Sequence, residues 1–258
     1  MDAGVGASGL VFILGFPRSG TTLLAQVLAV APEVLVFEER PLLFKAVADF
    51  IYPPEGAEKL AATNDADLAP YVEDFWRLAR AEADVRGKLV IEQTAFNTVY
   101  LPMIARLFPQ AKIVFAIRDP RDVVFSCFRR QFAPSTFTLE FRTLESTARF
   151  YDATMRLADL CRPALAGRMF DIRNEDLISD FDIWSQRLCA FVGAPWNEAM
   201  RRFEVAAADR TLTTRSAHQI RRGLSSEGVG AWRRYAGQMA PVLPILAPWV
   251  ERFGYPPG

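Results

Sequence analysis

The stretch FILGFPRSGTT, residues 12–22, decides the fold. Phe12, Ile13 and Leu14 read as the end of a buried strand. Gly15, Pro17 and Gly20 mark a tight turn, and Thr21 opens a helical pattern through Leu23, Leu24, Val27 and Leu28 that stops before Pro32. Strand, glycine turn and helix together outline a phosphate-binding loop, because the first N–H groups of a helix lack intrahelical partners and point at an anion. Loops that hold ATP or GTP close on Gly-Lys-Ser/Thr. Here Gly20 is followed by Thr21 and Thr22, and the positive charge comes earlier, at Arg18. The candidate anion ligands are the planar guanidinium of Arg18, the N–H groups of Ser19, Gly20, Thr21 and Thr22, and the two threonine hydroxyls. The alternative is a glycine-rich turn that binds nothing; glycines, arginine and threonines agreeing at one turn speak against it.

Outward from the loop, short apolar runs alternate with helical patterns. Strands are expected at Leu10–Phe16, Val34–Phe37, Leu89–Glu92, Ile113–Arg118 and Met169–Ile172. Helices are expected at 20–30, 41–51, 68–84, 99–107, 121–130, 140–161, 180–192 and 197–205. Continuous apolar strands suit a sheet covered on both faces. The expectation is an α/β protein with a P-loop-like three-layer fold: a parallel central sheet flanked by helices, one domain over 1–258, with 41–88 as a helical cap on the acceptor side. Ligands in such folds sit at the carboxyl ends of the strands, where every polar motif of this chain falls.

A second motif, KIVFAIRDPRDVVFSCFRRQF, covers 112–132. The strand ends at Arg118, Asp119 suits a helix N-cap and Pro120 a first helical position. Asp122, Ser126 and Arg130 fall four apart on one expected helix face. Arg118, Ser126 and Arg130 then converge beside the first loop as a second anion site. The plainer alternative is a solvated basic face.

Composition narrows the partners. Thirty Lys and Arg balance thirty Asp and Glu, so the whole-molecule field favours neither nucleic acid nor a membrane surface. No apolar run is long enough to span a bilayer. Cys127, Cys161 and Cys189 have no metal-ligand spacing and read as reduced thiols. A cytoplasmic location is expected.

In its pairing of two anion sites the chain resembles the sulfotransferases that use 3′-phosphoadenosine 5′-phosphosulfate (PAPS). It is similar in particular to the branch of protein-tyrosine sulfotransferases and bacterial tetratricopeptide-linked enzymes. The resemblance implies that PRSGTT at 17–22 holds the 5′-phosphosulfate and that Arg118, Ser126 and Arg130 hold the 3′-phosphate. It continues through IRNEDL at 172–177, FVGAPW at 191–196 and TRSAHQIRRGLSSEGVGAWRRY at 214–235. From this tail it implies Gln219, Arg221, Arg222 and Trp232 over the nucleotide, and Ser216 beside the transferred group. Trp232 as a core residue is the alternative. Only about 41–88 lies outside the likeness. Sulfuryl transfer moves less negative charge than phosphoryl transfer, which recruits Mg²⁺ and a lysine; no metal is expected, and Asp119 serves as a helix cap.

An acceptor hydroxyl or amine needs a base. The resemblance implies Glu39, twenty-one residues after Arg18, in VFEERP at 36–41. Glu38 stands second, and a surface pair feeding Arg40 is the alternative. His218, the single histidine, reads as a loop residue. Two positions depart from the pattern: Gln93 stands where the family often has a lysine that reaches the leaving oxygen, and Asn174 where it has tyrosine. The acceptor is expected to be a small molecule, lipid or natural product, bound by 41–88 and the 131–141 loop. Phe44, Phe50, Tyr52, Phe75, Trp76, Phe132, Phe137 and Phe141 either line that pocket or form the core of a cap. Two other functions stay open: a catalytically impaired PAP/PAPS-binding module, suggested by Gln93, and an atypical P-loop kinase, which would leave Arg118 and Ser126 without a phosphate.

Overall fold

The structure, a computed structural model, describes residues 9–208 and 223–257. Five strands form one parallel sheet: β1 (Gly9–Gly15), β2 (Val34–Glu38), β3 (Leu89–Gln93), β4 (Lys112–Ile117) and β5 (Met169–Arg173), in the order β2-β3-β1-β4-β5. The helices are α1 (Thr21–Leu28), α2 (Phe44–Phe50), α3 (Gly56–Ala62), α4 (Asp65–Glu82), α5 (Leu101–Leu107), α6 (Pro120–Arg129), α7 (Leu144–Cys161), α8 (Asn174–Ser179), α9 (Phe181–Val192), α10 (Phe203–Ala208), α11 (Ala236–Met239) and α12 (Leu243–Arg252).

The continuous apolar run of β1 follows from its place at the centre of the sheet. Val11 and Ile13 turn to one face, where they join Leu24, Val27 and Leu28 of α1. Phe12 and Leu14 turn to the other, among Phe75 and Trp76 of α4, Ile104 of α5 and Tyr151 of α7. Both faces are covered by helices, so no polar alternation survives. Phe75 is fully buried against Phe12 and Phe108, with ring centroids at 6.1 and 4.9 Å. A side chain of this size contributes about 1.5–3 kcal/mol by leaving water.

All five expected strands form. The helices differ in detail. The stretch expected at 68–84 begins earlier, at Asp65, because Asn64 caps it by accepting from the Asp67 N–H at 3.0 Å. Helices at Gly56–Ala62, Asn174–Ser179 and Leu243–Arg252 were not anticipated. α6 stops at Arg129: the Arg130 N–H reaches back to the Cys127 carbonyl at 3.3 Å, a tightened last turn, and its own backbone is extended. Arg130 therefore leaves the helix, and the four-residue spacing that put it on a face with Asp122 and Ser126 does not hold at its far end. Among the described residues no helix is long and apolar enough to cross a membrane.

The strand order places the loop after β1 beside the loop after β4, at the crevice where such folds receive ligands. Gly15 makes that approach possible: a Cβ there would lie 2.6 Å from the Ala116 carbonyl oxygen, and its φ is +152°. Thr98 clasps the same point from below. Its Oγ1 accepts from the Gly15 N–H at 2.8 Å and donates to the Gly15 carbonyl at 2.7 Å.

Candidate active site

The loop after β1 turns in a left-handed conformation at Arg18 (φ 73°) and again at Gly20 (φ 104°). A non-glycine residue held there stores strain of about 1–3 kcal/mol, which directs attention to its role. Arg18 is buried. Its Nε donates to Ser126 Oγ at 3.2 Å, and its carbonyl accepts from Arg118 Nη1 at 3.2 Å. Burial drives its pKa down to about 10, with Cys127 opposing and the charges of Arg130, Arg118 and Arg129 adding to the fall. It remains cationic at neutral pH. Three further arginines thus act on Arg18, which precedes the N-terminus of α1, an arrangement that favours an anion.

Two hollows meet at this loop. The first, about 100 Å³, is lined by Arg18, Gly20, Thr22 and Arg118 on one side and Asn174, Leu224 and Gly228 on another. The second, about 620 Å³, is lined by Arg18, Thr21, Thr22, Glu39, Thr94, Phe96, Phe132 and Ser135 among others. Arg18 and Thr22 belong to both walls. Glu39 stands on the second wall in a left-handed conformation (φ 51°), with its N–H bonded to the Gln93 carbonyl at 2.9 Å.

The first hollow is roofed by residues 223–230, and α6 grips that roof. Asp122, buried, accepts from the Gly230 N–H at 2.6 Å and the Trp232 N–H at 2.9 Å. Arg118 Nη2 donates to the Gly228 carbonyl at 2.5 Å. The Arg118 Nε is buried and has no hydrogen-bond partner among the described residues.

Residues 11–198 match the profile of the sulfotransferase family. The chain belongs to the sulfotransferase family. An uncharacterized protein of Aquifex aeolicus is 25% identical over 244 residues, 92% of this chain. The chain spans only 32% of that relative's own length. Protein-tyrosine sulfotransferase 1 of Danio rerio is 25% identical over 268 residues, 96% of this chain and 72% of its own. Among solved structures, the sulfotransferase domain of the Synechococcus PCC 7002 olefin synthase superposes with a TM-score of 0.64 at 21% identity, over 98% of this chain and 97% of its own. Mouse sulfotransferase SULT7A1, complexed with PAP, superposes with a TM-score of 0.55 at 17% identity, over 92% and 82%. These likenesses show a P-loop-like α/β fold.

In this sulfotransferase the residues singled out from sequence separate into groups. Arg18, Gly20, Thr22 and Arg118 share the first hollow, Ser126 bonds to Arg18, and Ser19 and Asn174 both line a small gap beside it. Arg130 is exposed at the end of α6 and reaches Arg18 only through its charge. Trp232 does not line the first hollow; it is a core residue, with Arg121 stacked at 4.4 Å from its ring. Its place follows from its backbone N–H, which Asp122 holds inside. Ser216, His218, Gln219, Arg221 and Arg222 lie outside the described residues. Gln93 is buried and donates to Thr21 Oγ1 at 3.2 Å.

The second hollow is walled by residues 94–96 and 132–138, and none of its lining residues comes from 41–88. Phe50, Phe75, Trp76 and Phe141 are core, Phe44 and Tyr52 are exposed, and Phe132 lines the hollow. Phe75 of α4 packs on Phe12 of β1 and on Phe108. Sequence reasoning passed over Asp122 as the anchor of the roof and Thr98 as the clasp on Gly15. Neither carries a local signal, since each acts on backbone distant in sequence.

Proposed function

We propose that this sulfotransferase moves the sulfuryl group of PAPS to a hydroxyl of a small, largely apolar molecule. The observation that carries the reading is the wall shared by the two hollows: a cationic cleft and a larger cavity meet at Arg18 and Thr22. The residues fit the nucleotide. Arg118 lines the cleft and keeps a buried, unpartnered Nε, and Arg18, whose charge is disfavoured by Arg130, Arg118 and Arg129, gains from an anion. A protein of the same fold is complexed with PAP.

When bound, PAPS supplies an activated sulfuryl group. The first-turn N–H groups of α1 and Arg18 hold the phosphosulfate; Arg118 and Ser126 hold the 3′-phosphate, with the charge of Arg130 in support. Glu39, on the acceptor wall, takes the proton of the acceptor hydroxyl. Arg18, buried, offsets negative charge on the leaving phosphate oxygen at low dielectric. Ser216 is assigned the same support from the tail. The helical segment 41–88 buttresses the sheet in this reading, and a cytoplasmic location with no metal stays part of it.

Glu39→Gln tests the assignment. Turnover is expected to fall on the order of a hundredfold or more, with PAP affinity unchanged. Equal turnover would remove Glu39 from the mechanism. A second reading, a PAP-binding module with weak or absent transfer, is favoured by Gln93: the side chain is neutral and its amide is committed to Thr21. It predicts tight PAP binding and no product with any acceptor.

A further inference from the structure

β3 carries, one residue before its end, a carboxyl group that the reaction above does not use. Glu92 is fully buried on the central sheet, with Phe12 of β1 on one side and Phe37 of β2 on the other. With the carboxylate charged, Thr94 Oγ1 donates to its Oε1 at 2.6 Å, and its Oε2 has no hydrogen-bond partner among the described residues. An ionised carboxylate with one bare oxygen in such surroundings is costly, so the group gives up its charge instead. Burial raises its pKa to about 8, opposed by the Thr94 hydroxyl and by the nearby Asn97 side chain. The charged groups on the adjoining elements, Glu38 and Glu39 at the end of β2 and Arg18 after β1, do not figure among the causes, and neither does Tyr100 in the turn that follows β3.

The neutral acid has one O–H, which needs an acceptor. A bare carbonyl oxygen is tolerated better than a bare donor. On the neutral acid the bond to Thr94 reverses: a proton on Oε1, donated to Thr94 Oγ1, leaves only a carbonyl-like Oε2 bare. Thr94 is a wall residue of the 620 Å³ cavity. With its oxygen occupied by Glu92, its own hydrogen is turned elsewhere.

We propose that Glu92 is a positioning residue that sets the polarity of the Thr94 hydroxyl in the acceptor cavity: as a neutral acid it makes Thr94 a hydrogen-bond donor to the oxygen of an incoming alcohol. The alcohol's own proton is then left for Glu39. When Glu92 ionises, the Thr94 hydrogen returns to Oε1, and Thr94 competes with Glu39 as an acceptor. The inference rests on the second hollow being the acceptor site.

The test uses naphthylmethanol, an apolar alcohol that does not titrate, added to the PAP-loaded protein on either side of pH 8. Wild type is expected to bind it roughly three- to tenfold more weakly on the alkaline side, the worth of one hydrogen bond. Glu92→Gln, whose amide donates to Thr94 at every pH, is expected to bind equally on both sides. Thr94→Val is expected to bind weakly throughout. Infrared spectra of the protein alone are expected to show a protonated-carboxyl band that titrates near pH 8 and is missing in Glu92→Gln. The proposal is overturned if that band is absent, if the pH dependence survives in Glu92→Gln, or if naphthylmethanol does not bind. Failure to load PAP would count against the donor reading alone, since the infrared band is read without nucleotide.

Discussion

Arg18 and Arg118 carry the account at the level of single residues. Each has a guanidinium at the ligand cleft and each touches the other's segment, so the site is one cationic unit. Gly228 offers a probe of this unit that leaves the core alone. A Cβ there would come within 2.5 Å of Arg118 Nη2, the far end of a flexible side chain. Gly228→Ala is expected to leave thermal stability nearly unchanged while lowering PAP affinity about tenfold by turning Arg118 aside. Calorimetry beside a melting curve checks both halves. Unchanged affinity would mean that Arg118 does not reach the nucleotide in this pose.

At the level of elements, α6 works in two directions. Its N-terminal turn holds the roof through Asp122, and its middle holds Arg18 through Ser126. Asp122→Ala leaves the Gly230 and Trp232 N–H groups unpaired, at a cost of about 1–3 kcal/mol each. The expected outcome is new proteolytic cleavage within 223–232 and weaker PAP binding; a roof that stays protected would contradict the role given to Asp122. The strands and both arginine loops were legible in the sequence because apolar runs and glycine turns are local signals. The Asp119–Pro120 start of α6 was legible for the same reason, and Asp119 does accept from the Arg121 N–H at 3.0 Å. Its end was not, since nothing in FRRQF shows where an i→i−3 bond replaces the helical one. The walls of the second hollow were half legible: the 131–141 loop belongs there, but no residue of 41–88 is among those that line it. Glu92 sits in an apolar run, LVIEQ, yet only the sheet order reveals that both its neighbours are phenylalanines.

For the whole molecule, the buried carboxyl links stability to pH. Glu92 holds its proton to about 8 in the folded protein, against an ordinary 4.5. Between those values the folded state binds the extra proton and the unfolded state does not, so stability is fully present at acid pH and is lost as pH rises through this window. The slope is at most about 1.4 kcal/mol per pH unit. Urea midpoints measured across the range are expected to fall toward alkaline pH in wild type and to flatten in Glu92→Gln. An equal slope in both proteins would mean that Glu92 ionises normally.

The central claim is that the paired arginine loops bind the PAPS nucleotide. Titrating the protein with PAP and, separately, with Mg·ATP, in wild type and Arg118→Ala, tests it most directly. The account predicts micromolar or tighter PAP binding, a preference over Mg·ATP, and a loss on the order of a hundredfold in Arg118→Ala. A preference for Mg·ATP, or PAP affinity indifferent to Arg118, would contradict it.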